Sequence, residues 1–153
     1  MLAATDPANP WGATLPWPQT ASEVARPARR VGTLVVLVDG VCVLHVDPRG
    51  KKLITFAGIP DDALARALAE GLPRLAATVR RRTLLLETID GQPALQSPHT
   101  PRLESAGARR DYRGLVIEPR LTPLPAKPAP AQDEDGELLG GEDAYDDDDD
   151  AGG

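Results

Sequence analysis

Aromatic side chains are scarce in this sequence: two Trp, two Tyr and one Phe among 153 residues, 3% of the chain. So few large rings predict a modest core and a good deal of irregular chain. Cysteine occurs once, which excludes an internal disulfide. One Cys with two His leaves too few ligands for a structural zinc site, and no metal centre is expected. No basic, apolar leader opens the chain and no apolar run is long enough to span a bilayer, so a cytoplasmic protein without a membrane partner is expected. The glycine motifs that cradle phosphates are also missing. Gly50-Lys51 lacks a glycine at the P-loop spacing, no Gly-x-Gly-x-x-Gly occurs, and no serine stands in a nucleophile elbow. The chain is therefore not expected to bind ATP in the P-loop manner.

Proline and acidic residues, by contrast, are plentiful. The formal net charge of −6 conceals a division. Residues 1–119 carry 15 Lys/Arg and 12 Asp/Glu, whereas residues 120–153 carry 2 and 11. The body is mildly basic and the C-terminal segment sets the overall sign. Pro123, Pro125, Pro128 and Pro130 alternate with Ala and Lys as in a stiff linker. Five consecutive aspartates at 146–150 close a stretch with too little apolar surface to fold, so 120–153 is expected to be a linker and a disordered acidic tail.

The body is organised around residues 31–47, where two β-branched runs flank Asp39-Gly40. Asp-Gly between such runs signals a hairpin with a type I′ turn. A two-residue loop would pair Val38 with Val41, Leu37 with Cys42, Val36 with Val43, Val35 with Leu44, Leu34 with His45 and Thr33 with Val46. Both faces are then almost wholly apolar, so both must be covered. Cys42 reads as a small buried hydrophobe, and His45 as a strand-end histidine with a backbone partner.

Residues 1–30 form an extended lead-in arm, because Pro7, Pro10, Pro16 and Pro18 disfavour helix before them. Trp11 and Trp17 lie in it, either packing the arm on the sheet or offering stacking platforms to bases. Arg26, Arg29 and Arg30 close the arm, as phosphate contacts or as a solvated entrance to the first strand. A third strand is expected over 51–57. A helix then starts near Pro60-Asp61, with an apolar stripe of Leu64, Leu68, Leu72, Leu75 and Val79 broken by Gly71 and Pro73 into a kinked helix. Arg80, Arg81 and Arg82 end it, complementing the helix dipole or clamping a phosphate. Residues 83–88 read as a fourth strand and Asp90-Gly91 as a second hairpin turn, with Pro93 placing the returning strand at an edge. A short helix to about Ala106 with Gly107 beyond it, then a strand at 115–118, complete an α+β domain over 31–119: a small antiparallel sheet or barrel.

Four pieces, in order, resemble the extreme C-terminal region of the large helicase-related proteins, the Lhr family. They are Leu2-Ala3-Ala4-Thr5-Asp6-Pro7-Ala8-Asn9-Pro10-Trp11-Gly12-Ala13-Thr14-Leu15-Pro16-Trp17-Pro18; Leu34-Val35-Val36-Leu37-Val38-Asp39-Gly40; Ile89-Asp90-Gly91-Gln92-Pro93; and Tyr112-Arg113-Gly114-Leu115. The resemblance covers roughly residues 2–119. It implies bacterial superfamily 2 helicases whose motor is followed by tandem winged helices and a terminal barrel-like domain, in an extension similar to AlkZ-type DNA glycosylases and associated with uracil excision. This chain matches the terminal domain alone, so it is expected to be a fragment or detached domain without the motor. ATP and Mg²⁺ then belong to the family's motor domains, and the expected partners are DNA and the remaining helicase domains. Three functions stay open: a DNA-facing accessory domain, part of a glycosylase, or a non-enzymatic interaction domain with an acidic tail. In the family an acidic residue near the terminus is catalytic. Glu118 is the nearest match by position, although Asp is the expected type there and one extra methylene displaces the carboxylate. Its alternative reading is a surface glutamate at a strand end.

Overall fold

The computed structural model describes residues 1–120. The chain divides into two units, Met1–Thr122 and Pro123–Gly153, and the second, with the expected acidic tail, lies outside the described residues. The first unit is α+β. Strands β1 (Leu2–Ala3), β2 (Leu34–Val38), β3 (Val41–Val46), β4 (Lys52–Thr55), β6 (Thr88–Ile89) and β7 (Gln92–Pro93) form a sheet in the order β1-β2-β3-β4-β6-β7. Strands β5 (Leu84–Leu86), β8 (Arg109–Asp111) and β9 (Gly114–Ile117) form a second sheet in the order β5-β9-β8.

Both Asp-Gly dipeptides turn hairpins. Asp39, Gly40, Asp90 and Gly91 all have positive φ, from 50° to 82°, as a type I′ turn demands of its two central residues. The register of the first hairpin departs from a simple two-residue count. Val38 pairs with Val41 and Leu37 with Cys42 as expected, but Val36 then pairs with Leu44, Val35 with His45 and Leu34 with Val46. Val43 is the extra residue of a β-bulge in β3. The bulge places Val43 and Leu44 together in the core on one face, while Cys42 belongs to the core on the other. Cys42 is fully buried, and burial pushes its thiol pKa up to about 12.

Each apolar face is covered. One takes a helical run built from α1 (Asp61–Arg66), a π-helical segment over Ala67–Gly71 and α2 (Leu72–Thr78). The π turn is the form the kink takes. Pro73 has no N–H to donate, and Leu72 N–H reaches back to the Ala67 carbonyl. Leu68, Leu72 and Leu75 are buried against β2 and β3, with Leu64 and Val79 at the margin of that core. The arm covers the other face. Ala4 and Ala25 are buried with Val35, Cys42, Ile54 and Phe56, and both tryptophans pack on this cluster. The arm also extends the sheet: Leu2 and Ala3 pair with Val35 and Leu34, and Thr20 bridges to Phe56.

Three features differ from a small antiparallel barrel. The described strands form two open sheets rather than one closed one. Strand β4 runs parallel to β6, because the helical run intervenes as a crossover between them. The single strand expected at 83–88 breaks at Glu87 into β5 and β6, which serve different sheets. Strand β8 was not foreseen from its polar sequence, Arg-Arg-Asp; it pairs with β9 across Tyr112-Arg113. Pro93 lies on the edge strand β7, where no ladder donor is needed. Helix α3 (Thr100–Ser105) ends in a Schellman motif: Ala108 N–H donates to the Leu103 carbonyl and Gly107 N–H to that of Glu104, with Gly107 at φ 99°.

Candidate nucleic-acid interface

The turn from β3 to β4 is set by one carboxylate. Asp47 Oδ1 accepts from the backbone N–H groups of Lys51 (2.6 Å) and Lys52 (2.7 Å), and Oδ2 accepts from Arg49 N–H (3.4 Å). Asp47 thus closes a turn that carries three cations, Arg49, Lys51 and Lys52. The end of the arm brings Arg26 and Arg30 to the same place. Together they line a cleft of about 530 Å³ with His45, Thr33 and Ile54 in it and Glu87 and Thr88 at one side. Two acidic groups line the cleft as well. Asp47 is engaged with the turn backbone, and Glu87 Oε1 is held by Lys51 Nζ at 2.9 Å and Arg113 Nη2 at 2.6 Å. The Lys51 hydrogen bond, with the charges of Lys51 and Arg113, holds the Glu87 carboxyl below the usual carboxylate range. Among the described residues Arg26, Arg30, Arg49 and Lys52 form no ion pair. A hollow with surplus positive charge, whose two carboxylates are already engaged, fits a phosphate.

His45 stands where arm and cleft meet. Its Nε2 lies 3.0 Å from both the N–H and the carbonyl oxygen of Ala28, and its ring meets Trp17 edge-on at a centroid distance of 5.4 Å. Nδ1 is buried with no partner among the described residues. Burial lowers the His45 pKa below 6.5, outweighing the Ala28 contact that raises it. A neutral imidazole in this place joins Ala28 to β3 and so holds the arm's cations beside the turn.

The residues nominated from sequence are dispersed. Arg26 and Arg30 line the cleft. Arg29, between them in sequence and half-buried, donates from Nη1 to the carbonyls of Asn9 (2.9 Å) and Trp11 (3.2 Å) and from Nη2 to that of Asp6 (3.2 Å). Its guanidinium folds the arm on itself. Trp11 Nε1 donates to the Gly40 carbonyl at 3.3 Å, and Trp17 stacks on Phe56 with centroids 6.4 Å apart, so both indoles are half-buried packing groups. Arg80, Arg81 and Arg82 are exposed in the connection from α2 to β5 and do not line the cleft. Glu118 follows β9, exposed and paired with Arg109, also apart from the cleft. Arg49, Lys51 and Lys52 were missed. The available signal was a basic turn, Arg49-Gly50-Lys51-Lys52, directly after the hairpin.

No protein-family model matches the sequence. Two curated proteins do. A protein named Lhr helicase/probable uracil glycosylase from Mycolicibacterium smegmatis is 43% identical over 124 residues, 76% of this chain and 8% of the relative. One named Lhr helicase/uracil glycosylase from Escherichia coli K12 is 32% identical over 114 residues, 74% of this chain and 7% of the relative. The chain therefore spans less than a tenth of the length of these relatives. With identity running along three quarters of its length, this chain is a relative of the C-terminal region of Lhr-family proteins.

Proposed function

We propose that the chain is a DNA-facing accessory domain of an Lhr-type DNA-repair helicase in the bacterial cytoplasm. It holds nucleic acid beside the family's other domains, and the ATP and Mg²⁺ of the motor are bound elsewhere. The observation that carries this reading is the cleft, where Arg26, Arg30, Arg49 and Lys52 converge without ion-pair partners among the described residues. Cations so placed contact the phosphate backbone and fix register without reading sequence. Fluorescence anisotropy of the full chain with a labelled oligonucleotide at low salt tests it. Arg49→Glu with Lys52→Glu should weaken binding by about tenfold or more, whereas Arg80→Ala with Arg81→Ala should leave it nearly unchanged. Equal affinity of the wild type and the Arg49/Lys52 variant contradicts the reading.

The names of the relatives favour a second reading, a contribution to base excision. Glu118 would be its carboxylate, holding a water or stabilising an oxocarbenium-like transition state at a flipped base. Glu118→Gln in a protein that carries the upstream Lhr domains should abolish excision and spare DNA binding. Unchanged excision removes Glu118 from the chemistry.

A further inference from the structure

We propose that Tyr112 stacks on an unpaired base of a strand whose phosphates occupy the basic cleft, so that the site takes single-stranded nucleic acid. This rests on the nucleic-acid reading of the cleft and adds its substrate class. Aromatic residues are few, and the others in the described chain are packed. Trp11, Trp17 and Phe56 all belong to the arm-side core. Tyr112 alone is bare, with 89% of its surface exposed.

Its position is fixed. Tyr112 and Arg113 form the two-residue connection between β8 and β9, with Asp111 opposite Gly114 and Arg113 N–H donating to Asp111 Oδ1 at 3.0 Å. The tip is also tied to the cleft. Glu87 lines the cleft, and its Oε1 accepts from Arg113 Nη2 at 2.6 Å and from Lys51 Nζ at 2.9 Å. One carboxylate oxygen therefore joins the residue after Tyr112 to a cation of the cleft wall. Tyr112 thus stands in a two-residue connection on a two-stranded support, next in sequence to the guanidinium that reaches the cleft wall through Glu87.

An aromatic ring beside cations that track a phosphate backbone is the arrangement by which proteins hold single strands. The cations take the phosphates and the ring takes a base face, whatever the base. In a duplex both faces of each base are already stacked on neighbours, so the ring gains little there. Tyr supplies this contact with only two side-chain torsions to immobilise.

The test uses the full chain and two probes of equal charge: a fluorescein-labelled oligothymidylate, and the same backbone with abasic residues throughout. Wild type should bind the thymidylate more tightly, by about fivefold or more. Tyr112→Ala should bring the two affinities together by weakening the thymidylate complex alone, and Tyr112→Trp should keep the preference. Equal binding of the two probes by wild type overturns the proposal, as does a preference that survives Tyr112→Ala. The cleft reading is separable. If Arg49→Glu with Lys52→Glu weakens binding of the abasic probe while Tyr112→Ala behaves as wild type, the stacking proposal alone fails. If the charge variant binds the abasic probe as wild type does, or wild type binds neither probe, the cleft reading fails and this proposal with it.

Discussion

A Cβ on Gly114 would overlap the Leu86 carbonyl oxygen and lie 2.8 Å from its carbon. The obstacle is backbone of β5, which cannot swing aside as a side chain could. Gly114→Ala should therefore push β9 from β5 and cost about 1–3 kcal/mol, seen as a lower urea midpoint at unchanged m-value. Full retention of the midpoint would mean that the sheet yields where its backbone contact says it cannot. His45 gives a pH-dependent counterpart. Burial holds its folded-state pKa below 6.5, so the unfolded chain takes up a proton there at pH values where the folded chain does not. That stability is complete above the unfolded value and is lost as pH falls from it towards the lower folded value. The urea midpoint should drop between about pH 7.5 and pH 5.5, and His45→Gln should flatten that slope. An unaltered slope in the variant would assign the loss to other groups. Neighbouring residues also show where reading from sequence stops. Arg29 and Arg30 look alike in the chain, yet one clamps three carbonyls of the arm and the other lines the cleft. Only the folded path of the arm distinguishes them.

Among the elements, those defined by local rules were legible. Asp-Gly turns declare themselves because both positions need positive φ. The leucine stripe declares the helix, and Gly71 with Pro73 declares its irregularity. Leu68, 2% exposed under the π-helical segment, should cost about 2–5 kcal/mol when cut to Ala, by thermal or urea unfolding; a loss under half a kcal/mol would mean that the helix does not depend on that seam. The bulge was not legible. Every residue of Val41-Cys42-Val43-Leu44-His45-Val46 suits a strand, so an extra residue leaves no mark in composition. Its effect is large all the same: it moves His45 from opposite Leu34 to opposite Val35, on the face the arm covers. The break at Glu87 was hidden for the same reason, since residues 83–88 look continuous and only the demands of two sheets divide them. The cleft was half legible. Its cations come from two segments some twenty residues apart, and one segment, the basic turn, reads as an ordinary connection until Asp47 is seen to shape it.

On the scale of the whole molecule, charge is the organising fact. Residues 1–119 hold an excess of Lys/Arg, 15 against 12, and residues 120–153 hold 2 against 11. The acidic segment competes with nucleic acid for the body only where it comes within about 8 Å of the cleft at physiological salt, the range of screened interaction. Truncation after Pro119 should accordingly tighten oligonucleotide binding, most at low salt; an unchanged affinity would leave the segment a role in solubility alone. The most direct measurement of the central claim is the salt dependence of oligonucleotide binding by the full chain and by a variant with Arg49→Ala and Lys52→Ala. If the four cations of the cleft that form no ion pair among the described residues contact phosphates, log K should fall with log salt concentration at a slope of about −3 for a single strand, and the variant should lose about half of that slope. A wild-type slope near zero, or a variant slope equal to that of the wild type, would contradict the account.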